Sequence, residues 1–251
     1  MSSARTVVVT GAAGGIGSEI VDRFLAQGDT VVACDLSEAA LDTWRTRWDA
    51  AAPDGRNAAL HTVAADISSE ESVAALADAV RQRLGAADIL INDAGGFSEA
   101  LVEEMSLQEW RRIIDVDLTG TFLMARAFIP LLKESGRGRI VNIGSGSVSY
   151  GVERQAHYIA AKAGVMGLTR VLARELAGYG ITVNLLTPGI TITSLTAGLP
   201  ESLLEYQRQV RSIHRDETPA DLVGTISFLA SDEAAFMTGQ TVNVDGGGYF
   251  L

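Results

Sequence analysis

The sequence predicts an α/β fold, one doubly wound parallel sheet with helices on both faces, on three observations. Short, almost continuously apolar runs recur along the whole chain, as parallel strands covered on both faces require. Longer amphipathic stretches separate them, and the repeated strand, helix, strand order implies right-handed crossovers. No proline-rich or charged linker divides the 251 residues, a length that suits one large α/β domain spanning 1–251.

The first strand candidate is "TVVVT" (Thr6–Thr10), followed by a glycine-rich turn and a helical pattern over Gly15–Gln27. "TVVAC" (Thr30–Cys34) and "LHTVAA" (Leu60–Ala65) come next, then a helix over Ser69–Leu84. "DILIN" (Asp88–Asn92) precedes one long helical pattern, Leu107–Glu134, and "RIVNI" (Arg139–Ile143) precedes another, Gln155–Gly178. "TVNLLT" (Thr182–Thr187) and "TVNV" (Thr241–Val244) complete the set. The segment from about 190 to 218 has no obvious strand and carries "TSLTAGLPES" before a polar helix pattern. An irregular insert of this kind in a compact domain is expected to be a lid or binding loop. Its Arg208, Arg211 and Arg215, with His214 nearby, are expected to form a solvated helix face.

Composition removes several classes of function. Hydrophobic residues make up 47% of the chain, too many for disorder. No apolar run approaches the roughly 20 residues of a membrane span. "MSSARTVVVTG" enters a strand-like run without the apolar stretch of a leader, and Cys34 is the single cysteine. A cytoplasmic location follows as the expectation. The net charge of −11 and the dispersed basic residues oppose binding to nucleic acid.

"TGAAGGIG" (Thr10–Gly17) follows the first strand and opens a helix. Gly11, Gly15 and Gly17 let backbone approach a pyrophosphate, which the free N–H groups and dipole of the helix N-terminus favour. Asp35, at the end of the second strand, suits both ribose hydroxyls of an adenosine and would repel a 2′-phosphate. This points to NAD rather than NADP. Asp66 suits either the adenine amino group or a helix N-cap ahead of "SSEESV".

With these residues the chain resembles the classical short-chain dehydrogenase/reductase family from its first strand to its C-terminus. "TGAAGGIG" is similar to the family's TGxxxGxG loop, and "NDAG" (Asn92–Gly95) to its NNAG element. Ser145 and "YIAAK" (Tyr158–Lys162) resemble its Ser…YxxxK core. "PGITIT" (Pro188–Thr193) is similar to the PGxxxT segment, and "TGQTVNVDGG" to the closing strand and tail. The resemblance implies a seven-stranded, Rossmann-type sheet, a nicotinamide cofactor, a secondary alcohol or ketone as substrate, and a homotetramer. It adds Asn92, Ala94 and Gly95 to the expected cofactor contacts, with Ile16, Leu36 and Ile67 beside the acidic residues and glycines. It places Pro188, Gly189, Ile190 and Thr193 at the nicotinamide end, where Tyr158 and Lys162 also lie. Enoyl reductases of the superfamily generally space their Tyr and Lys wider, and halohydrin dehalogenases lose the glycine cradle and the lysine.

The four-residue spacing of Tyr158 and Lys162 has a physical reason. Oxidising an alcohol needs a base, and a free tyrosine, with a pKa of about 10, is a poor one at neutral pH. At i and i+4 of one helix the two side chains share a face, and an ammonium in a dry site favours phenolate. Ser145 would hydrogen-bond the substrate oxygen. The rival reading, a serine nucleophile with His157 as base, lacks a G-x-S-x-G frame around Ser145.

Two positions depart from the family. "DVDLTG" puts Asp117 where the family has its fourth catalytic group, an asparagine, and Asp93 stands in NDAG. A carboxylate accepts hydrogen bonds but does not donate them. Asp117 either keeps a role through its main-chain carbonyl, which the resemblance links to the lysine through water, or weakens the field of Lys162. The expected outcome is a surviving relay. The alternative is an NAD-binding sensor or scaffold with little turnover. Glu153, Arg154, Gln155, His157 and Phe97, with the segment 190–215, are expected to line the substrate pocket; the substrate itself is not legible. NAD preference leans towards oxidation.

Overall fold

Along the first strand, β1 (Thr6–Thr10), Val7 and Val9 join the apolar layer on one side of a sheet and Val8 the layer on the other, all fully buried. The same alternation runs through β2 (Thr30–Asp35) and β4 (Ile89–Asn92), which is why their sequences read as unbroken apolar runs. With β3 (Leu60–Ala64), β5 (Arg139–Ile143), β6 (Thr182–Pro188) and β7 (Thr241–Val244) they make a seven-stranded sheet ordered β3-β2-β1-β4-β5-β6-β7. Every pairing is parallel. The computed structural model describes residues 4–51 and 59–250. Residues 1–3, the start of the stretch read above for a leader, lie outside the described residues, as do 52–58 and 251.

The helices α1 (Gly15–Ala26), α3 (Glu70–Leu84) and α7 (Ala156–Leu176) follow the sequence pattern to within about two residues. α2 (Glu38–Ala51) and α9 (Pro219–Leu229) add to the patterns read from sequence. The long pattern Leu107–Glu134 is not one regular helix. It comprises α4 (Leu107–Ile114), a π-helical stretch over Asp115–Gly120, and α5 (Thr121–Ser135). At Gly120 the stretch presses on Ile67, whose Cδ1 would lie 2.8 Å from a Cβ there.

Short helix α6 (Ser147–Tyr150) follows β5, and α8 (Glu201–Val210) lies in the late insert. Phe24 and Phe128, one in each apolar layer, are fully buried. Burial of such a side chain contributes about 1.5–3 kcal/mol. The order of the strands reverses between β1 and β4, and such a switch point opens a crevice at the C-terminal ends of the strands. Among the described residues no helix is long and apolar enough to cross a membrane, and no cluster of His, Cys, Asp and Glu could hold a metal.

Candidate active site

The crevice at the switch point is a cleft of about 540 Å³. Gly11 turns with φ +68°, and a Cβ there would lie 2.9 Å from the Ala94 backbone. A Cβ on Gly17 would lie 2.1 Å from the Gly11 carbonyl oxygen. Only glycine therefore lets the loop fold back against α1. The Thr10 hydroxyl accepts from the backbone N–H groups of Asp93 and Ala94, 3.1 Å each, which ties the loop after β4 to the end of β1.

Asp35 both braces and lines this cleft, its Oδ2 accepting from the Ala13 N–H at 3.1 Å. Ser37, rather than Asp35, caps α2 by accepting from Ala40 N. Ser69 likewise caps α3, and Asp66 instead accepts from the backbone and hydroxyl of Ser68 at the cleft wall. Ile16, Leu36, Ile67, Ala94, Gly95 and Thr193 also line the cleft, as expected, beside Gly11 and Gly15.

Gly14, Asp93, Val116 and Ser194 line it too. Gly17 and Asn92 do not. Asn92 is buried and donates to Asn142 Oδ1 (2.8 Å), which donates in turn to Thr169 (2.9 Å), so its side chain joins β4 and β5 to α7. The first turn of α1 has no acidic residue, and the described lining residues include three aspartates and no lysine or arginine. These residues fit a dinucleotide whose pyrophosphate meets the α1 N-terminus.

A second cavity, about 270 Å³, meets the cleft at Ile16, Thr193 and Leu195, which line both. Ser145 and Tyr158 are on its wall, with Pro188, Gly189 and Ile190 at the end nearer the sheet. The Ser145 hydroxyl is 2.8 Å from that of Ser147, and the Phe97 ring stands edge-on to Tyr158 at 5.4 Å. Lys162 lies one turn along α7, buried, its Nζ 5.7 Å from the Tyr158 ring centre and donating to the Ile143 carbonyl at 3.2 Å.

Asp117 projects from the π-helical stretch with no exposed surface. Its Oδ1 accepts from the Gly96 N–H at 2.6 Å, and its Oδ2 is 3.4 Å from Lys162 Nζ. Its main-chain carbonyl, expected to serve the lysine, accepts from the Thr121 hydroxyl at 2.9 Å. The carboxylate thus meets Lys162 directly. Burial pulls the Lys162 ammonium down, but Asp117, Tyr158 and Asp93 outweigh it, and the group stays above the ordinary lysine range. Asp93 goes the other way. Burial, partly offset by Lys162 and reinforced by Asp35, pushes its carboxyl up to about 7.

Three expectations about the pocket fail. His157 is fully buried and does not line it: Nδ1 accepts from Tyr158 N (2.9 Å), so the ring proton is on Nε2, directed to Ser98 Oγ (2.9 Å). Ser98 donates to Glu109, so the histidine fixes the start of α7 instead of facing substrate. Glu153 and Arg154, the latter with its backbone at φ +69°, are also off the cavity, whereas Phe97 and Gln155 are on it. The three arginines share no helix face, since α8 ends at Val210. Arg208 is bonded to Glu205 and Asp216, Arg215 to Asp221, and Arg211 is buried, donating to Ile190 O at 2.8 Å.

A family model described as "Enoyl-(Acyl carrier protein) reductase" matches residues 11–248. 3-Oxoacyl-(acyl-carrier-protein) reductase FabG of Thermotoga maritima is 34% identical over 97% of each chain. Trans-4-hydroxycyclohexanecarboxylate dehydrogenase of Sinomonas cyclohexanicum is 38% identical over 97% of this chain and 92% of its own. A short-chain dehydrogenase/reductase titled glucose/ribitol dehydrogenase, from Brucella melitensis, superposes with a TM-score of 0.90 at 34% identity, over 98% and 97% of the two chains. The chain belongs to the short-chain dehydrogenase/reductase family of nicotinamide-dependent oxidoreductases.

Proposed function

We propose that this oxidoreductase uses NAD and moves a hydride between the nicotinamide and a secondary alcohol or ketone. The observation that carries the reading is the wall shared by the two cavities. Ser145 and Tyr158 face a space that opens onto the dinucleotide cleft at Ile16, Thr193 and Leu195. When bound, the cofactor supplies the hydride acceptor or donor. Tyr158 takes the alcohol proton or returns it to the ketone, with the buried Lys162 ammonium 5.7 Å from its ring centre. Ser145 hydrogen-bonds the substrate oxygen and steadies its developing charge. The segment 190–218 closes over both cavities as a lid. Preference for NAD rests on Asp35 and on a cleft without a described lysine or arginine, since a 2′-phosphate would meet only carboxylates. The names of the two relatives, one for an oxo group and one for a hydroxy group, agree with this chemistry.

The test is a titration of NAD and NADP onto the protein, followed by nicotinamide reduction with a panel of secondary alcohols. NAD should bind at least tenfold more tightly, and Tyr158→Phe should lose at least a hundredfold in turnover with NAD affinity unchanged. Equal affinity for NADP would overturn the cofactor assignment. Unchanged turnover in Tyr158→Phe would overturn the role of the tyrosine.

A further inference from the structure

The cavity beside Tyr158 is unusually plain for a site that must choose a substrate. Phe97, Val152, Ile190, Leu195, Leu199 and Leu203 give it a hydrocarbon wall, and Glu99, at the exposed rim, is the single charged side chain among its described lining residues. Its volume of about 270 Å³ is just under the roughly 300–1,000 Å³ of pockets for drug-sized ligands. The ligand is therefore small.

Among the described residues no lining side chain of the cavity is a cation, and three cations around it are already held. Arg211, in an adjoining chamber of about 280 Å³, donates to the carbonyls of Ile190 (2.8 Å) and Arg215 (3.2 Å) and is 3.7 Å from Glu217. Arg208, on the same helix as Leu203, is bonded to Glu201, Glu205 and Asp216. Lys162 is paired with Asp117 and lies behind Tyr158. A carboxylate or phosphate in the cavity would give up water for hydroxyl and amide donors and find no cation on the described wall, an unfavourable exchange for a charged group. Glu99 would add repulsion.

We infer that this cavity takes an uncharged, largely hydrocarbon alcohol or ketone, about the size of one substituted ring, and turns away substrates carrying a carboxylate or phosphate. The inference rests on the oxidoreductase reading only for the reacting group. Discrimination by charge comes from the walls alone. Tyr150, Gly189 and Gln207 line both the cavity and the adjoining chamber, so a neutral tail on the ring would pass between them toward Tyr206 and Tyr249.

The experiment pairs two probes of one shape, cyclohexanol and trans-4-hydroxycyclohexanecarboxylate, on the NAD-saturated protein, reading binding by saturation-transfer NMR and turnover by nicotinamide reduction. The neutral ring should bind at least tenfold more tightly and, if oxidised, show a kcat/KM at least tenfold higher. Gln207→Arg, or Leu203→Arg should the first variant not fold, should narrow that ratio by bringing an unpaired cation to the wall. Equal or better use of the carboxylate by wild type overturns the inference, and so does failure of the neutral ring to bind. Preferential binding of the neutral ring without any oxidation supports the pocket assignment and instead sinks the oxidoreductase reading for that substrate.

Discussion

Asp117 is the residue at which this chain differs most tellingly from its family, and its surroundings say what the difference does. A carboxylate with no exposed surface is costly unless it is paired, and here it takes the Gly96 N–H and an ammonium at 3.4 Å. Lys162 is buried as well, so each charge compensates the other. An asparagine at 117 would keep the acceptor for Gly96 and remove the countercharge. Lys162 would then rely on the Ile143 carbonyl and on Asp93. Asp117→Asn should therefore lower stability by about 1–3 kcal/mol in denaturant titrations and make Lys162 give up its proton at lower pH. The upper limb of the pH–rate profile should move down with it, while turnover near neutrality changes only a few-fold. A gain of orders of magnitude in turnover would mean that Asp117 suppresses the site rather than serving it.

At the scale of elements, the late segment shows where sequence reading succeeds and where it stops. The strands were legible because burial on both faces leaves a local signature, an apolar run bounded by turns, and all seven end within one residue of the run that predicts them. The cradle was legible because its glycines are close in sequence, Gly17 lying against the Gly11 carbonyl, although Thr10 and Gly11 also meet the distant Asp93–Ala94 backbone. The π-helical stretch at Asp115–Gly120 was not, because its side chains keep nearly the spacing of an α-helix and leave no mark in the hydrophobic pattern. His157 and Arg211 were misjudged because partners distant in sequence hold them: Ser98 bonds the His157 ring, and the Ile190 carbonyl accepts from Arg211.

That fold-back makes Glu217 the anchor of the segment. It accepts from the Thr191 hydroxyl at 2.6 Å and the Gly189 N–H at 3.2 Å, and its own carbonyl accepts from Ile192 N at 2.8 Å. Glu217→Ala would leave a buried arginine without its carboxylate and free one edge of the cavity. It should cost about 3 kcal/mol and expose residues 193–210 to limited proteolysis, whereas Glu217→Gln, whose oxygen can accept from Gly189 while its NH2 donates to the Thr191 hydroxyl, should protect them. Equal cleavage of wild type and Glu217→Ala would show that the segment is held by other contacts.

For the whole molecule, the balance of perturbed carboxyls sets a pH range of stability. Glu109, held at about 2 by Arg112 and Ser98, and Asp221, held well down by Arg215 and Thr218, contribute stability present above the ordinary carboxylate pKa. It is lost as the pH falls through their folded values, and both lie near the surface, where such pairs contribute little. Asp93 and Glu217 have the opposite sign. Burial raises both, Asp93 to about 7, so the folded state keeps protons that the unfolded chain has released. Stability is then greatest below about pH 4 for these groups and falls as the pH rises through their folded values, with a ceiling slope of about 1.4 kcal/mol per pH unit for each.

The Asp93 side chain is only half-buried, so solvent screening should hold its whole contribution to about 1–2 kcal/mol. Self-repulsion from a net charge of −11 at pH 7 acts in the same direction. The thermal midpoint should accordingly peak near pH 5 and decline toward pH 8, and Asp93→Asn should flatten that decline while leaving the acid limb in place. Parallel profiles for the two proteins between pH 5 and 8 would remove Asp93 as the cause and leave general charge repulsion as the sole source of the slope.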